Sequence, residues 1–355
     1  MNLYNVVACQ TACPTPRTPE ELDKNIEHAC DLIRWGVEVY CQSAPVKLAA
    51  FPELALVGHP QVSHKELYKM GIEIPGRVTD RFVQLAKEFD LYIMPGSFWE
   101  SDPDYKLVFN TAFLVGPQGV LLKYRKFNPW WPVSSLSPHD LLTTGYDLNK
   151  TPLFPVANTE IGNIGVAICY DMLFPEVARQ LAYNGAEILI GTTAWFDPYG
   201  AKILDWWNTV TKARSIENIC YGLYVGSGSS VSDFPPMSTS GYSQMVDFEG
   251  RVLAITGEGE KLTSALFNID MLRYYRKTCR QNNFLAANRI EGYDYWKTPK
   301  YKMTPEVAKK EELNMAEADE IMIESFEEFY SKYYNEEVHF PRYGQAWWDK
   351  FKKAK

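Results

Sequence analysis

The chain runs through the same succession of elements twice. In the first half, MNLYNVVACQ reads as a strand, and Thr18-Pro19-Glu20-Glu21 then opens a helix with a capping box and a proline at its first position. That helix carries Leu22, Ile26, Ala29, Ile33 and Val37 on one face. VKLAAFPELAL and LYIMPGSF read as strands on either side of a helix at TDRFVQLAKEF, and FNTAFLVGPQGVLLKYRKF reads as a hairpin turning at Pro117-Gln118-Gly119. In the second half a strand, IGNIGVAI, runs into Cys169. A helix starts at Pro175, sets Val177, Ala178, Leu181 and Ala182 on one face and stops at Gly185. The strand GAEILIGTTAW, the helix LDWWNTVTKARSIEN, the strand CYGLYVGSG and a hairpin turning at Glu249-Gly250 complete the repeat. Such an order points to an α/β fold in which two sheets pack face to face with helices outside, a four-layer α-β-β-α sandwich. It forms one duplicated domain over residues 1–295 rather than two independent units.

Residues 296–355 differ in composition. Thr304-Pro305-Glu306 caps a long helix with Leu313, Ala316, Ile323, Phe326, Tyr330 and Tyr333 available to one face, and Trp347 and Trp348 lie beyond it. A terminal apolar stripe more often packs on its own domain. The two tryptophans favour a C-terminal helical extension that serves as an oligomerisation arm.

Composition narrows the function. A formal net charge of −8 argues against a nucleic-acid partner held by its phosphates. No apolar stretch approaches a membrane span, and MNLYNVVACQTACP lacks the charged start and long apolar region of a secretory signal. The seven cysteines are scattered without a CxxC pair, which argues against a zinc site or disulfide framework and suits a reducing cytoplasm. The five histidines show no metal-ligand spacing either.

Cys169 falls on a strand-to-helix turn, GVAICYDMLFPEVARQ, where a thiol lies near backbone N–H groups that can stabilise an anion. A lone cysteine is more often a small buried hydrophobe, so it needs partners before it counts as a nucleophile. Two other strand ends carry isolated charges in apolar surroundings, Glu53 in AAFPELAL and Lys126 in LLKYRKFNPWWP. Singly these read as surface charges. Together with Cys169 they supply acyl transfer: a thiol to attack, a carboxylate to shuttle protons and an ammonium beside the thiolate and the tetrahedral oxyanion. A Cys–His pair is the rival, but no histidine sits on a strand-end element.

These stretches resemble the nitrilase (carbon–nitrogen hydrolase) superfamily: FPELALVG around Glu53, KYRKFNPWWP around Lys126, ICYDMLFPEVARQLAYNGAEILI around Cys169 and the hairpin SGYSQMVDFEGRVLAITGEGE. The resemblance covers roughly residues 1–295. It implies the nitrilase-like α-β-β-α sandwich, a Glu53–Lys126–Cys169 catalytic set, no metal or organic cofactor, and a homodimer or higher homo-oligomer. PWWP after Lys126, the segment RKTCRQNNFLAANRIEGYDYW and the long tail resemble the aliphatic amidase and formamidase branch. Tyr170-Asp171 after the cysteine also looks more like amidases and carbamoyl-amide hydrolases than like nitrilases, and the family pattern implies an oxyanion contact from the Tyr170 backbone N–H.

One departure stands out. The amidase branch carries a second glutamate in a Pro-x-x-Pro-x-Glu context, where this chain has Ser134; the nearest acid downstream is Asp140. Either another acid substitutes, the chemistry tolerates the loss with altered substrate preference, or the reaction has changed; tolerance carries the most weight. Around the expected pocket mouth lie Trp130, Trp131, Tyr170, Trp195, Phe196 and Trp99, and for each, core packing is about as good an explanation as substrate contact. The leading expectation is an amidase acting on a small-molecule amide. Nitrile hydrolysis, ureide hydrolysis and a non-hydrolytic acyl-binding role are the alternatives.

Overall fold

The computed structural model describes residues 3–60, 62–130, 136–196, 204–233, 238–294, 315–342 and 344. The first half contains strand β1 (Leu3–Gln10), helix α1 (Pro19–Tyr40), β2 (Val46–Ala50), α2 (His64–Met70) and α3 (Arg77–Phe89). β3 (Tyr92–Met94), β4 (Ser97–Asp102), β5 (Leu107–Gly116) and β6 (Gly119–Arg125) follow. The second half contains β7 (Val156–Thr159), β8 (Gly162–Ile168), α4 (Pro175–Tyr183), β9 (Ile188–Thr193), α5 (Trp206–Asn218) and β10 (Tyr221–Gly226). It continues with β11 (Gln244–Val246), β12 (Val252–Ile255), β13 (Lys261–Asn268) and α6 (Ile269–Thr278).

Two sheets result. One runs β13-β1-β2-β3-β5-β4 with β6 paired to β5, and the other runs β12-β11-β10-β9-β8-β7. In each, the central strands β1-β2-β3 and β8-β9-β10 are parallel, as helical crossovers require. Alternate residues of these strands face opposite ways, and both sets are buried. Val6, Ala8, Leu48 and Ala50 of the first sheet meet Val166, Ile168, Ile190 and Leu223 of the second in one shared core. On the outer faces, Val7, Cys9 and Ala49 pack on α1 and α3, while Ala167 and Leu189 pack on α4 and α5. Helix, sheet, sheet and helix therefore stack as the four expected layers.

Local signals hold at the helix ends with one exchange of partners. The Thr18 hydroxyl accepts from the Glu21 amide, but the Glu21 carboxylate turns to the Arg17 amide instead of closing a capping box. Val177, Ala178, Leu181 and Ala182 are the buried residues of α4, as their spacing requires.

Three features depart from the sequence reading. LYIMPGSF is two strands, because Pro95 cannot donate to a ladder and Gly96, at φ +91°, passes the Pro52 carbonyl so closely that a Cβ would lie 2.2 Å from its oxygen. β7 and α2 are additional elements. β13, unread in the sequence, leaves the second sheet's hairpin and pairs antiparallel with all of β1, so the last strand of the repeat belongs to the first sheet. Beyond the sandwich, a helix spans Met315–Tyr334, with Ile323 buried and Tyr333 and Tyr334 exposed. Trp347 and Trp348 lie outside the described residues. No helix among the described residues is long and apolar enough to cross a membrane.

Candidate active site

Three strand ends converge on one buried spot. Glu53 lies just beyond β2, on a turn fixed from several sides: the Phe51 amide donates to the Met94 carbonyl, the Leu54 amide donates to the Ser97 hydroxyl, and the Thr192 hydroxyl of the opposite sheet donates to the Phe51 carbonyl. Lys126 follows β6, and its amide extends the β5–β6 ladder by bonding the Asn110 carbonyl at 2.8 Å. Cys169 follows β8 and begins a short 3-10 turn ahead of α4. Because Ile168 pairs with Thr192 in the parallel β8–β9 ladder, Cys169 comes beside Thr193.

The side chains close the arrangement. Lys126 Nζ donates to Glu53 Oε1 at 2.8 Å, and Asn110 Nδ2 donates to the same oxygen at 2.9 Å. The other carboxylate oxygen accepts from the Ala194 amide at 3.2 Å. Thr193 Oγ1 lies 3.1 Å from Cys169 Sγ, and the Glu53 charge is close enough to bear on the thiol. Glu53 and Lys126 are buried, whereas Cys169 as a residue is half-buried. Cys169 adopts φ +53°, the left-handed region that a side chain enters only at a cost of about 1–2 kcal/mol.

The electrostatics follow from this geometry. Burial works to raise the Glu53 carboxyl, but the Lys126 ammonium and the donors around it hold it below the usual carboxylate range. Burial also opposes the Lys126 charge, and the Glu53 carboxylate overcomes it, keeping Lys126 protonated. The Cys169 thiol is pushed up to about 12, by burial first and the Glu53 charge second, with Lys126 and Thr193 pulling the other way. The resting site therefore holds a carboxylate, an ammonium and a neutral thiol. The sequence reading had Lys126 sustaining a thiolate. Its charge is instead directed first to Glu53, the group it touches.

The other expected site residues divide. Trp130 is exposed and meets Phe196 edge-on with ring centroids 5.2 Å apart. Tyr170 is partly exposed and packs edge-on against Phe174. Trp195 is buried with Met172 and Trp207, and its backbone carbonyl accepts from Ser240. Trp99 is likewise core, donating to the Gly58 carbonyl. Ser134 and Trp131 lie outside the described residues. Asp140 pairs with His139, 3.8 Å away, and not with Lys126. Among the described residues no cluster of three or more His, Cys, Asp or Glu side chains is placed to hold a metal ion.

Asn110, Thr193 and Asp171 complete the surroundings and were not assigned from the sequence. Asn110 and Thr193 were legible only as polar breaks in the apolar runs FNTAFLV and ILIGTTAW. That signal marks burial with a partner but does not name the partner.

The carbon-nitrogen hydrolase family profile matches residues 6–277. A formamidase of Bacillus thuringiensis is 34% identical over 186 residues, which is 50% of this chain and 51% of that protein, so the match spans about half the length of that relative. A carbon-nitrogen hydrolase from Helicobacter pylori G27 superposes with a TM-score of 0.67 at 20% identity, covering 82% of this chain and 97% of that one. A mutant of the amidase from Nesterenkonia sp. AN1, which shows covalent addition of the acetamide moiety of fluoroacetamide at its active site cysteine, superposes with a TM-score of 0.58 at 18% identity, covering 81% of this chain and 94% of that one. With the profile running through all three converging strand ends, the chain belongs to the carbon-nitrogen hydrolase family of the nitrilase superfamily.

Proposed function

We propose that the protein is a thiol amidohydrolase that cleaves the C–N bond of a linear carboxamide through a Cys169 thioester. The observation that carries this reading is the convergence of the three side chains: Glu53 pairs with Lys126 through one oxygen, and its charge bears on the Cys169 thiol. The resemblance of half the chain to formamidases supports the amide as substrate.

The chemistry then runs in balanced steps. Glu53 accepts the thiol proton as sulfur bonds to the amide carbon, and the carbonyl becomes an oxyanion. The Lys126 ammonium and the Tyr170 backbone N–H face that oxygen. Collapse of the intermediate breaks the C–N bond, and Glu53 returns its proton to the departing nitrogen, which leaves as ammonia or an amine. Water then attacks the thioester while Glu53 takes one of its protons. Release of the acid restores the thiol with that same proton. Lys126 stays charged throughout, which keeps Glu53 ionised between steps. A screen of ammonia release over short aliphatic amides, aromatic amides, ureides and nitriles, run beside Cys169→Ala, tests the reading. Turnover of amides that the variant lacks is the expected result, and release from nitriles or ureides alone would overturn it.

A further inference from the structure

Asp171 takes no part in the steps above, yet it is fully buried and its carboxylate accepts from five donors. The Tyr124 hydroxyl reaches it at 2.7 Å from β6. The Phe127 amide at 3.3 Å, the Asn128 amide at 2.6 Å and Asn128 Nδ2 at 3.2 Å reach it from the two residues after Lys126. The Ile168 amide, at 3.4 Å, comes from the residue before Cys169. One carboxylate thus joins the chain on both sides of Lys126 to the turn that carries Cys169, across two sheets that share no ladder.

We propose that Asp171, in its ionised form, is the positioning residue that holds Lys126 and Cys169 in register for the reaction. The proposal rests on the reading of those two residues as reacting partners. An ionised carboxylate is acceptor-only and matches an array made wholly of donors. Protonation places an O–H among them, and an asparagine places an NH2 there, so either change leaves donors facing a donor. Asp171 is also the second carboxylate whose charge bears on Lys126, a part that Ser134 cannot fill and for which the sequence offered only Asp140 downstream.

The clamp is sensitive to acid. Burial raises the Asp171 carboxyl to about 6, against the opposing pull of the Lys126 ammonium, the Tyr124 hydroxyl and the backbone amides. Tyr124 on β6 and Lys126 beyond it act directly on Asp171, while Cys169 lies on its own turn and Arg214 of α5 donates to the Met172 and Leu173 carbonyls next to it. Glu53 is held lower, so it is still ionised when Asp171 takes its proton.

The test compares full-length wild type, Asp171→Asn and Tyr124→Phe, each checked for folding by its thermal transition. Two readouts are followed against pH: kcat and KM on the best amide of the screen, and the rate of Cys169 alkylation by iodoacetamide, mapped by peptide mass. Asp171→Asn is expected to lower kcat by about a hundredfold with KM nearly unchanged, the cost of misplacing a reacting group by an ångström. Tyr124→Phe removes one donor from the charged form and is expected to move the acid limb of kcat upward by about one unit. Where Asp171→Asn does not fold, Tyr124→Phe decides alone. An acid limb unmoved in Tyr124→Phe overturns the proposal, as does a folded Asp171→Asn with wild-type kcat. Where wild type turns over no amide, the amidase reading falls, and the pH step in alkylation judges the clamp by itself: displaced in Tyr124→Phe it stands, unmoved it fails.

Discussion

Lys126 Nζ and Glu53 Oε1 lie 2.8 Å apart although 73 residues separate them, and their side chains are only 5% and 7% exposed. A buried pair of this kind is held by each member's need for the other. Removing one strands a charge in the interior at a cost of about 3–5 kcal/mol, whereas replacing both by uncharged groups of similar shape costs far less. Lys126→Met and Glu53→Gln are each expected to lower stability by about that amount, and the double variant is expected to be more stable than the sum of the two losses implies. Urea unfolding of the four proteins measures the coupling. Strict additivity would show that the pair does not exist in solution. All three variants are expected to lose amide turnover.

The backbone at Cys169 predicts a contrast between two variants. Cys169 sits at φ +53°, where glycine is unstrained and alanine is not. Cys169→Gly and Cys169→Ala should both abolish ammonia release, with the glycine variant the more stable by about 1 kcal/mol. Matched thermal melts settle this, and an alanine variant that melts higher would contradict the left-handed turn.

The thiol's pKa has consequences for both spectrum and stability. Its folded value is raised from 9 to about 12, chiefly by burial. Near neutral pH Cys169 should therefore contribute no thiolate absorbance when wild type is compared with Cys169→Ala. The sign for stability follows from linkage: between the two values the unfolded chain has released this proton and the folded chain has kept it. Stability due to this group is present below about pH 9 and lost as the pH rises toward 12. Wild type should lose stability across that window more steeply than Cys169→Ala, and parallel curves would refute the raised value.

Trp130 is exposed and packs edge-on against Phe196. Trp130→Ala is expected to reduce kcat/KM for an aromatic amide about tenfold or more while leaving formamide nearly unaffected. Equal losses on both substrates would assign Trp130 to packing. Ser134→Glu, assayed on the same two amides, asks whether that position sets substrate preference, and unchanged ratios would make it a bystander.

The amino-acid order by itself determined the repeated strand–helix plan, the buried faces of α1 and α4, and the three strand ends where chemistry was to be sought. These are local properties. Helix and strand periodicity, a proline at a helix start and a charge inside an apolar run each act over a few residues. What only the tertiary structure decided depended on contacts between distant segments. β13 crosses to β1 because pairing is a property of two strands, and KLTSALFN alone names no partner. Whether Lys126 sustains a thiolate depends on which neighbour it touches, and the ammonium bonds directly to the Glu53 carboxylate. The aromatic residues divided for the same reason, since Trp195 and Trp130 are one residue type, and only the packing around each ring makes one buried and the other exposed. Asp171 gives the sharpest instance: the sequence shows an acid two residues after a cysteine, but only the fold closes five donors from three segments around it. Burial and hydrogen-bond satisfaction are summed over the folded chain, so their outcome is fixed only when every neighbour is in place.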